Sequence, residues 1–250
     1  MLARDLALAL DPAHFAHELG LTPDPWQQTA LQSDAARLLL LCSRQAGKST
    51  IAALAALHSA VYRPGALILL LSPSLRQSSE LFRRVAAFYR ALQGAIPAEA
   101  ETSLRLELAN GSRIVSLPGA EQTIRGYSGV DLLIIDEAAR VEDPLYYAVR
   151  PMLAVSRGRL IAMSSPFGRR GWFFNEWTGP GPWERIKVTA AECPRISAEF
   201  LAEERAALGP WWFSQEYECV FADPVDSVFS TDLVTAALSG GVTPLFAGGR

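Results

Sequence analysis

Long apolar runs are missing from this sequence. Nothing in it approaches the roughly 18 to 20 consecutive apolar residues that span a bilayer, and the N-terminus lacks the basic-then-apolar order of a secretory signal. These absences point to a soluble intracellular protein. Cysteine is also scarce. The 3 cysteines, Cys42, Cys193 and Cys219, are odd in number, far apart and outside any C-x-x-C spacing, which argues against a disulfide framework or a zinc site and fits a reducing compartment. The 3 histidines, His14, His17 and His58, fall in helical stretches and form no metal-ligand spacing. Neither sign of charge prevails: 23 Lys and Arg face 26 Asp and Glu, for a formal net charge of -3. That balance does not announce a nucleic-acid binder, so any DNA contact must come from a local patch. No internal repeat is visible.

What is present is apolar sequence in short, regularly spaced pieces. With 250 residues, 50% of them hydrophobic, the chain can bury one sizeable α/β core, or one core plus a small appendage. After a helical N-terminal stretch around Leu6 to Leu19, the run Ala36 to Cys42 has the length and flanks of a buried strand. It passes through a loop containing Gly47 into an Ala-rich helix, Ser49 to Tyr62, ended by Pro64 and Gly65. A second strand, Ala66 to Leu71, leads into a helix from about Gln77 to Leu92. Two strand-helix units in succession imply a parallel sheet with crossover helices. Asn110-Gly111, flanked by Leu104 to Leu108 and Arg113 to Leu117, signals a hairpin and hence a local antiparallel addition. Val130 to Ile135 and Arg159 to Met163 read as two more core strands. The strands end in polar residues, where open α/β sheets bind their ligands. From Gly179 the texture changes: Gly-Pro-Gly-Pro, a strand-like Ile186 to Thr189, then helical segments near Ser197 to Leu208 and Trp211 to Tyr217. The expected organisation is a core over 1–178, a small lid over 179–222 and a linker over 223–250.

Two motifs carry chemistry. Cys42-Ser43-Arg44-Gln45-Ala46-Gly47-Lys48-Ser49 matches the phosphate-binding P-loop at Gly47, Lys48 and Ser49, and has Cys42 where the first glycine is usual. A buried strand before it and a helix after it would converge backbone N–H groups from Ser43 to Thr50 on phosphate oxygens. Lys48 would reach the β and γ phosphates of ATP, and the Ser49 hydroxyl would bind Mg²⁺. The second motif, Val130 to Glu137, is a Walker B strand. In it Asp136 would hold Mg²⁺ directly or through water, and Glu137 would polarise the attacking water. Adjacent acids after a buried strand are costly unless a metal or solvent receives them.

With both motifs in hand, the chain resembles the large terminase subunit of tailed bacteriophages over nearly its whole length. The resemblance implies an ASCE, RecA-like P-loop NTPase with a mainly parallel sheet, flanking helices and a small C-terminal lid. Pro25-Trp26-Gln27 resembles the family's adenine-binding motif, in which the Gln27 amide would both donate to and accept from the base edge. Ser164-Ser165-Pro166 resembles the coupling motif, whose hydroxyls would sense the γ-phosphate. Arg44 matches the arginine that terminases carry in the P-loop, with the γ-phosphate or Glu137 as its expected contact. Arg125 resembles the arginine that a neighbouring subunit inserts into the active site, which would make hydrolysis depend on assembly. Residues from Trp212 to Phe229 resemble the end of the motor module. The family's nuclease strand would follow soon after Phe246, and the chain ends at Arg250, so no nuclease activity is expected.

The function implied is an ATPase that drives double-stranded DNA into a procapsid. It would work as a homo-oligomeric ring, a pentamer, with portal protein and small terminase subunit as partners, in the host cell cytoplasm and away from membranes. For DNA contact the acid-free interval between Asp143 and Glu176 offers Arg150, Arg157, Arg159, Arg169 and Arg170; Arg76, Arg83 and Arg84 lie where translocating motors often touch DNA. Two other readings stand beside this one. A nucleotide-dependent docking module with little turnover is one, and Glu137 argues against it. A helicase-like motor is the other, but such helicases need a second motor lobe for which the chain has no room. Small-molecule kinases lack the paired Asp-Glu together with the hydroxyl-bearing strand end.

Overall fold

The structure, a computed structural model, describes residues 2–92, 94, 96–119, 124, 126–223 and 231–238. Among them eight strands form one sheet: β1 (Arg37–Cys42), β2 (Leu67–Ser72), β3 (Ala98–Glu101), β4 (Arg105–Leu108), β5 (Arg113–Pro118), β6 (Leu132–Asp136), β7 (Arg159–Ser164) and β8 (Glu184–Val188). Their spatial order is β3-β4-β5-β2-β6-β7-β1-β8. The six strands from β5 to β8 in that order pair in parallel, and β4 and β3 add antiparallel at one edge.

The unbroken apolar runs of β1, β2 and β6 are strands buried on both faces, as parallel strands under crossover helices must be. Alternate side chains enter two separate cores. Leu38, Leu40, Ile68, Leu70 and Ile134 meet one face, beneath α1 (Leu2–Leu10), α2 (Pro12–Glu18), α3 (Pro25–Gln32), α4 (Lys48–Tyr62) and α5 (Leu75–Ala91). Leu39, Leu41, Leu69, Leu133 and Ile135 meet the other face, beneath α6 (Asp143–Val149) and α7 (Gly171–Thr178). The second core is anchored by Tyr146 stacked on Trp172, with centroids 3.8 Å apart. Their polar tips are satisfied: Trp172 donates to the Val141 carbonyl at 3.0 Å, and the Tyr146 hydroxyl donates to Glu176 at 2.9 Å. No helix among the described residues is long and apolar enough to cross a membrane.

The strand order decides where chemistry can occur. β7 lies between β1, which feeds the P-loop, and β6, which ends in the acidic pair. That interposed strand is the expected ASCE, RecA-like arrangement. The register pairs Leu41 with Ser164 and Asp136 with Met163, so the ends of all three strands reach one edge of the sheet.

Two expectations need correction. The Asn110-Gly111 hairpin forms, with Gly111 at φ 81°, but its second arm is not an addition to the sheet. β5 pairs in parallel with β2, Leu67 opposite Arg113, so only β4 and β3 are appended. The strand expected within a lid forms at Glu184–Val188 and pairs in parallel with β1, Leu40 opposite Ile186. The sheet therefore runs past the boundary drawn at residue 178, because β1 would otherwise present a row of unpaired backbone groups. Beyond it, α8 (Ala198–Glu216) is two helical pieces broken at Gly209, φ 75°, with Pro210 next. The linker expected over 223–250 lies largely outside the described residues.

Candidate nucleotide-binding and hydrolysis site

The loop from Ser43 to Gly47 leaves the sheet in a conformation that only part of its sequence makes easy. Gln45 at φ 58° and Gly47 at φ 98° both adopt the left-handed region. A side chain at Gly47 would also come within 2.6 Å of the Gln27 amide nitrogen. Cys42, at the position where the P-loop's first glycine is usual, is instead the fully buried last residue of β1; its extended backbone has no need of glycine. α4 begins at Lys48, so its unpaired N-terminal N–H groups face the cleft.

That cleft holds about 630 Å³ and is lined by Arg44, Gln45, Gly47, Lys48, Ser49, Thr50, Gln77, Arg84, Glu137, Arg140 and Ser165. Lys48 is 8% exposed; its ammonium lies 3.4 Å from the Ser43 carbonyl and 3.8 Å from Glu137 Oε1. Ser49 Oγ donates to Asp136 Oδ2 at 3.4 Å, and the Glu137 N–H donates to Asp136 Oδ1 at 3.0 Å. Burial, aided by the neighbouring Glu137 charge, raises the Asp136 carboxyl to about 6. A desolvated carboxylate next to a hydroxyl is a donor set for a small hard cation that keeps most of its waters, so these residues fit Mg²⁺. Glu137 sits at φ 48°, ψ 43°, a left-handed conformation that is strained for a side-chain-bearing residue. Strain of this kind persists where surrounding structure enforces it, here just beyond the end of β6.

A family match decides what this cleft belongs to: the family described as "Terminase large subunit, T4likevirus-type, N-terminal" matches residues 39–236. The chain belongs to that family. It is 28% identical to the terminase large subunit of Thermus virus P23-45, over 86% of this chain and 52% of that protein, and so spans about half of that relative's length. Its fold is similar to that of the Thermus phage P74-26 large terminase ATPase domain, with a TM-score of 0.74, 24% identity, and 84% and 98% of the two chains covered. It is also similar to the large terminase of another thermophilic bacteriophage in complex with ADP, with a TM-score of 0.67, 11% identity, and 80% and 54% covered.

Several site residues expected from the terminase resemblance lie elsewhere than expected. Arg44 lines the cleft but forms its ion pair with Glu216 rather than with Glu137. Its guanidinium grips the Glu216 carboxylate with two hydrogen bonds, at 2.7 and 3.3 Å, and the Arg44 backbone N–H donates to the Glu216 carbonyl at 3.1 Å. The side-chain hydrogen bonding to Glu216 is the main reason the Arg44 pKa is raised. Gln27 caps α3, accepting from the Asp24 N–H at 2.9 Å, and donates to the Ala46 carbonyl at 3.3 Å, so its amide braces the P-loop from behind. Arg195, which the sequence did not single out, donates to the same carbonyl at 3.0 Å and to Asp24 at 2.8 Å. Trp26 packs against the core, and Ser43 and Ala46 are the fully buried residues of the loop itself. Ser165 lines the cleft, whereas the Ser164 hydroxyl is buried with no partner among the described residues. Arg125 lies outside the described residues.

The basic residues do not assemble as the sequence implied. Arg84 turns into the cleft and donates to Thr50 Oγ1 at 3.0 Å, next to the exposed Arg83, which pairs with Glu80 at 2.8 Å. The arginines between Asp143 and Glu176 are not one patch. Arg159 opens β7 and Arg169 follows its end, and a six-residue strand at about 3.3 Å per residue separates such positions by roughly 20 Å. Arg169 donates to the Phe221 carbonyl at 3.1 Å, and Arg170 lies over the Phe167 ring at 4.9 Å. Arg140 was missed altogether. Its only signal was its place three residues after Glu137, whose carboxylate it meets at 2.8 Å.

Proposed function

We propose that this chain is the ATP-hydrolysing domain of a viral DNA-packaging motor. The observation that carries the reading is the meeting, in one cleft, of the Gly47 loop, Lys48, the Ser49–Asp136 pair and Glu137. Family membership supports it, as does the complex with ADP formed by the thermophilic phage relative. On this reading, loop N–H groups and Lys48 hold the β and γ phosphates. Ser49 and Asp136 would hold Mg²⁺, which offsets the negative charge that builds on the transferring phosphoryl group. Glu137 orients a water whose oxygen bonds to the γ-phosphorus as the bond to the β–γ bridging oxygen breaks, and it accepts the water's proton. The products are ADP and phosphate.

The assembly we propose is a homo-oligomeric ring on a portal protein, served by a small terminase subunit, acting on double-stranded DNA in the host cytoplasm. Arg125 from a neighbouring copy would bring a further guanidinium to the cleft. The test is steady-state ATP hydrolysis against protein concentration, with and without DNA, beside Glu137→Gln and Arg125→Ala. Turnover per subunit should rise with concentration. Glu137→Gln should lose on the order of 10² to 10⁴-fold, the usual contribution of a general base. A flat profile with a silent Arg125→Ala removes the trans role, and no turnover under any condition removes the hydrolase.

A further inference from the structure

The Glu137 carboxylate is held between two cations. Lys48 stands 3.8 Å from Oε1, and Arg140 Nη1 donates to Oε2 at 2.8 Å. Lys48 is the group a polyphosphate would claim. Once it is claimed, Arg140 is the cation that still holds Glu137 among the described residues. Arg140 has further contacts: the same nitrogen also donates to Ser165 Oγ at 3.4 Å, and the guanidinium lies 4.8 Å from the Phe167 ring centroid. The Phe167 ring also carries Arg170, at 4.9 Å. Ser165 directly follows β7, the strand that separates the P-loop strand from the acidic strand.

Because one nitrogen of a rigid, planar guanidinium donates to both Glu137 and Ser165, a shift of the Ser165 segment alters the hold on the Glu137 carboxylate. We propose that Arg140 is a positioning residue for Glu137, tying the carboxylate to the segment from Ser165 to Arg170 so that its aim at the attacking water follows the position of that segment. The inference rests on the hydrolase reading above. The pair contributes little to stability, since the Arg140 side chain is 26% exposed and the contact is an i,i+3 ion pair. Substitution is therefore expected to leave the fold intact, and a thermal melt checks this.

The experiment compares the full chain with Arg140→Ala, Arg140→Lys, Phe167→Ala and the Arg140→Ala/Phe167→Ala double variant. It reads kcat and KM for ATP with Mg²⁺, and the affinity for a fluorescent ADP. The expected result for Arg140→Ala is a kcat lower by on the order of 10²-fold at unchanged ADP affinity, because a small misplacement of a reacting group costs about that much. Arg140→Lys should recover part of the loss, and the double variant should be no slower than Arg140→Ala alone, since both break one connection. The inference is overturned if an active enzyme keeps its kcat in Arg140→Ala, gains turnover, or loses ADP affinity in step with kcat. A wild-type chain that binds ADP but hydrolyses no ATP overturns the hydrolase reading, and this inference with it; the other outcomes overturn this inference alone.

Discussion

The two ends of the central strands use the same residue types in opposite ways. At the start of the strands, polar groups are largely absorbed by backbone: Asp131 accepts from the Leu67 N–H at 2.9 Å, Arg37 donates to the Gly158 carbonyl at 2.9 Å, and Arg159 Nε donates to the Ala35 carbonyl at 3.0 Å. Only Arg159 Nη2 is left over among these groups. At the other end burial outweighs pairing: the Asp136 carboxyl is pushed up to about 6 despite its two hydrogen bonds, Ser164 Oγ has no partner among the described residues, and Glu137 is held in a left-handed backbone. One end stabilises the sheet. The other carries a desolvated carboxyl and backbone strain of the kind found where a ligand is to complete the site.

Substitutions can break that contrast, and the largest effect belongs to Asp136→Asn. It should abolish measurable ATP turnover while raising the thermal midpoint of the cation-free chain, because it removes a carboxylate whose ionised form burial disfavours by roughly 3 kcal/mol, its pKa being raised to about 6. Calorimetry beside the turnover assay checks both signs; a destabilised Asn variant would mean that the carboxylate is structural. At the opposite end Asp131→Ala should do the reverse. Leaving the Leu67 N–H without its side-chain acceptor should cost about 1 kcal/mol, with turnover per folded molecule unchanged, as a denaturation curve and an assay at matched folded fraction would show. A loss of turnover there would erase the distinction between the ends.

The smallest effect should come from His58, near the starts of the strands. Burial lowers its pKa from the usual 6.5; its ring packs edge-on against Phe15, and Nε2 lies 3.0 Å from the Leu8 carbonyl. A base whose folded pKa is depressed stabilises the fold above its unfolded pKa, and that contribution is lost as pH falls from 6.5 through the folded value. Thermal midpoints from about pH 8 to about pH 5 should therefore fall more steeply for the parent chain than for His58→Gln. Equal slopes would show that His58 is not the group that titrates.

The legible parts of the molecule were those written in consecutive residues. Cys42 to Ser49 and Val130 to Glu137 each carry a strand, its end and its chemistry in one stretch, so apolar runs and loop residues were enough to read them. Less legible were residues whose role depends on a neighbour far along the chain. Glu184–Val188 gave the same signal whether it was a lid strand or the edge of the main sheet, because strand propensity does not name a partner. Arg83 and Arg84 are adjacent in sequence and both exposed, yet one helical step turns Arg84 toward Thr50 and Arg83 toward Glu80. Arg44, expected at the γ-phosphate or at Glu137, is bonded to Glu216, 172 residues away, which no local pattern names.

The sequence by itself determined the parallel α/β class, the phosphate loop and the acidic strand end, because backbone preference, hydrophobic period and motif spacing are local properties. The tertiary structure decided that β7 lies between the two motif strands, that β8 completes the sheet, and which cation meets which carboxylate. Those choices follow from burial and pairing summed over the whole chain, and charged side chains settle on whichever partner the packed elements bring within a few ångströms.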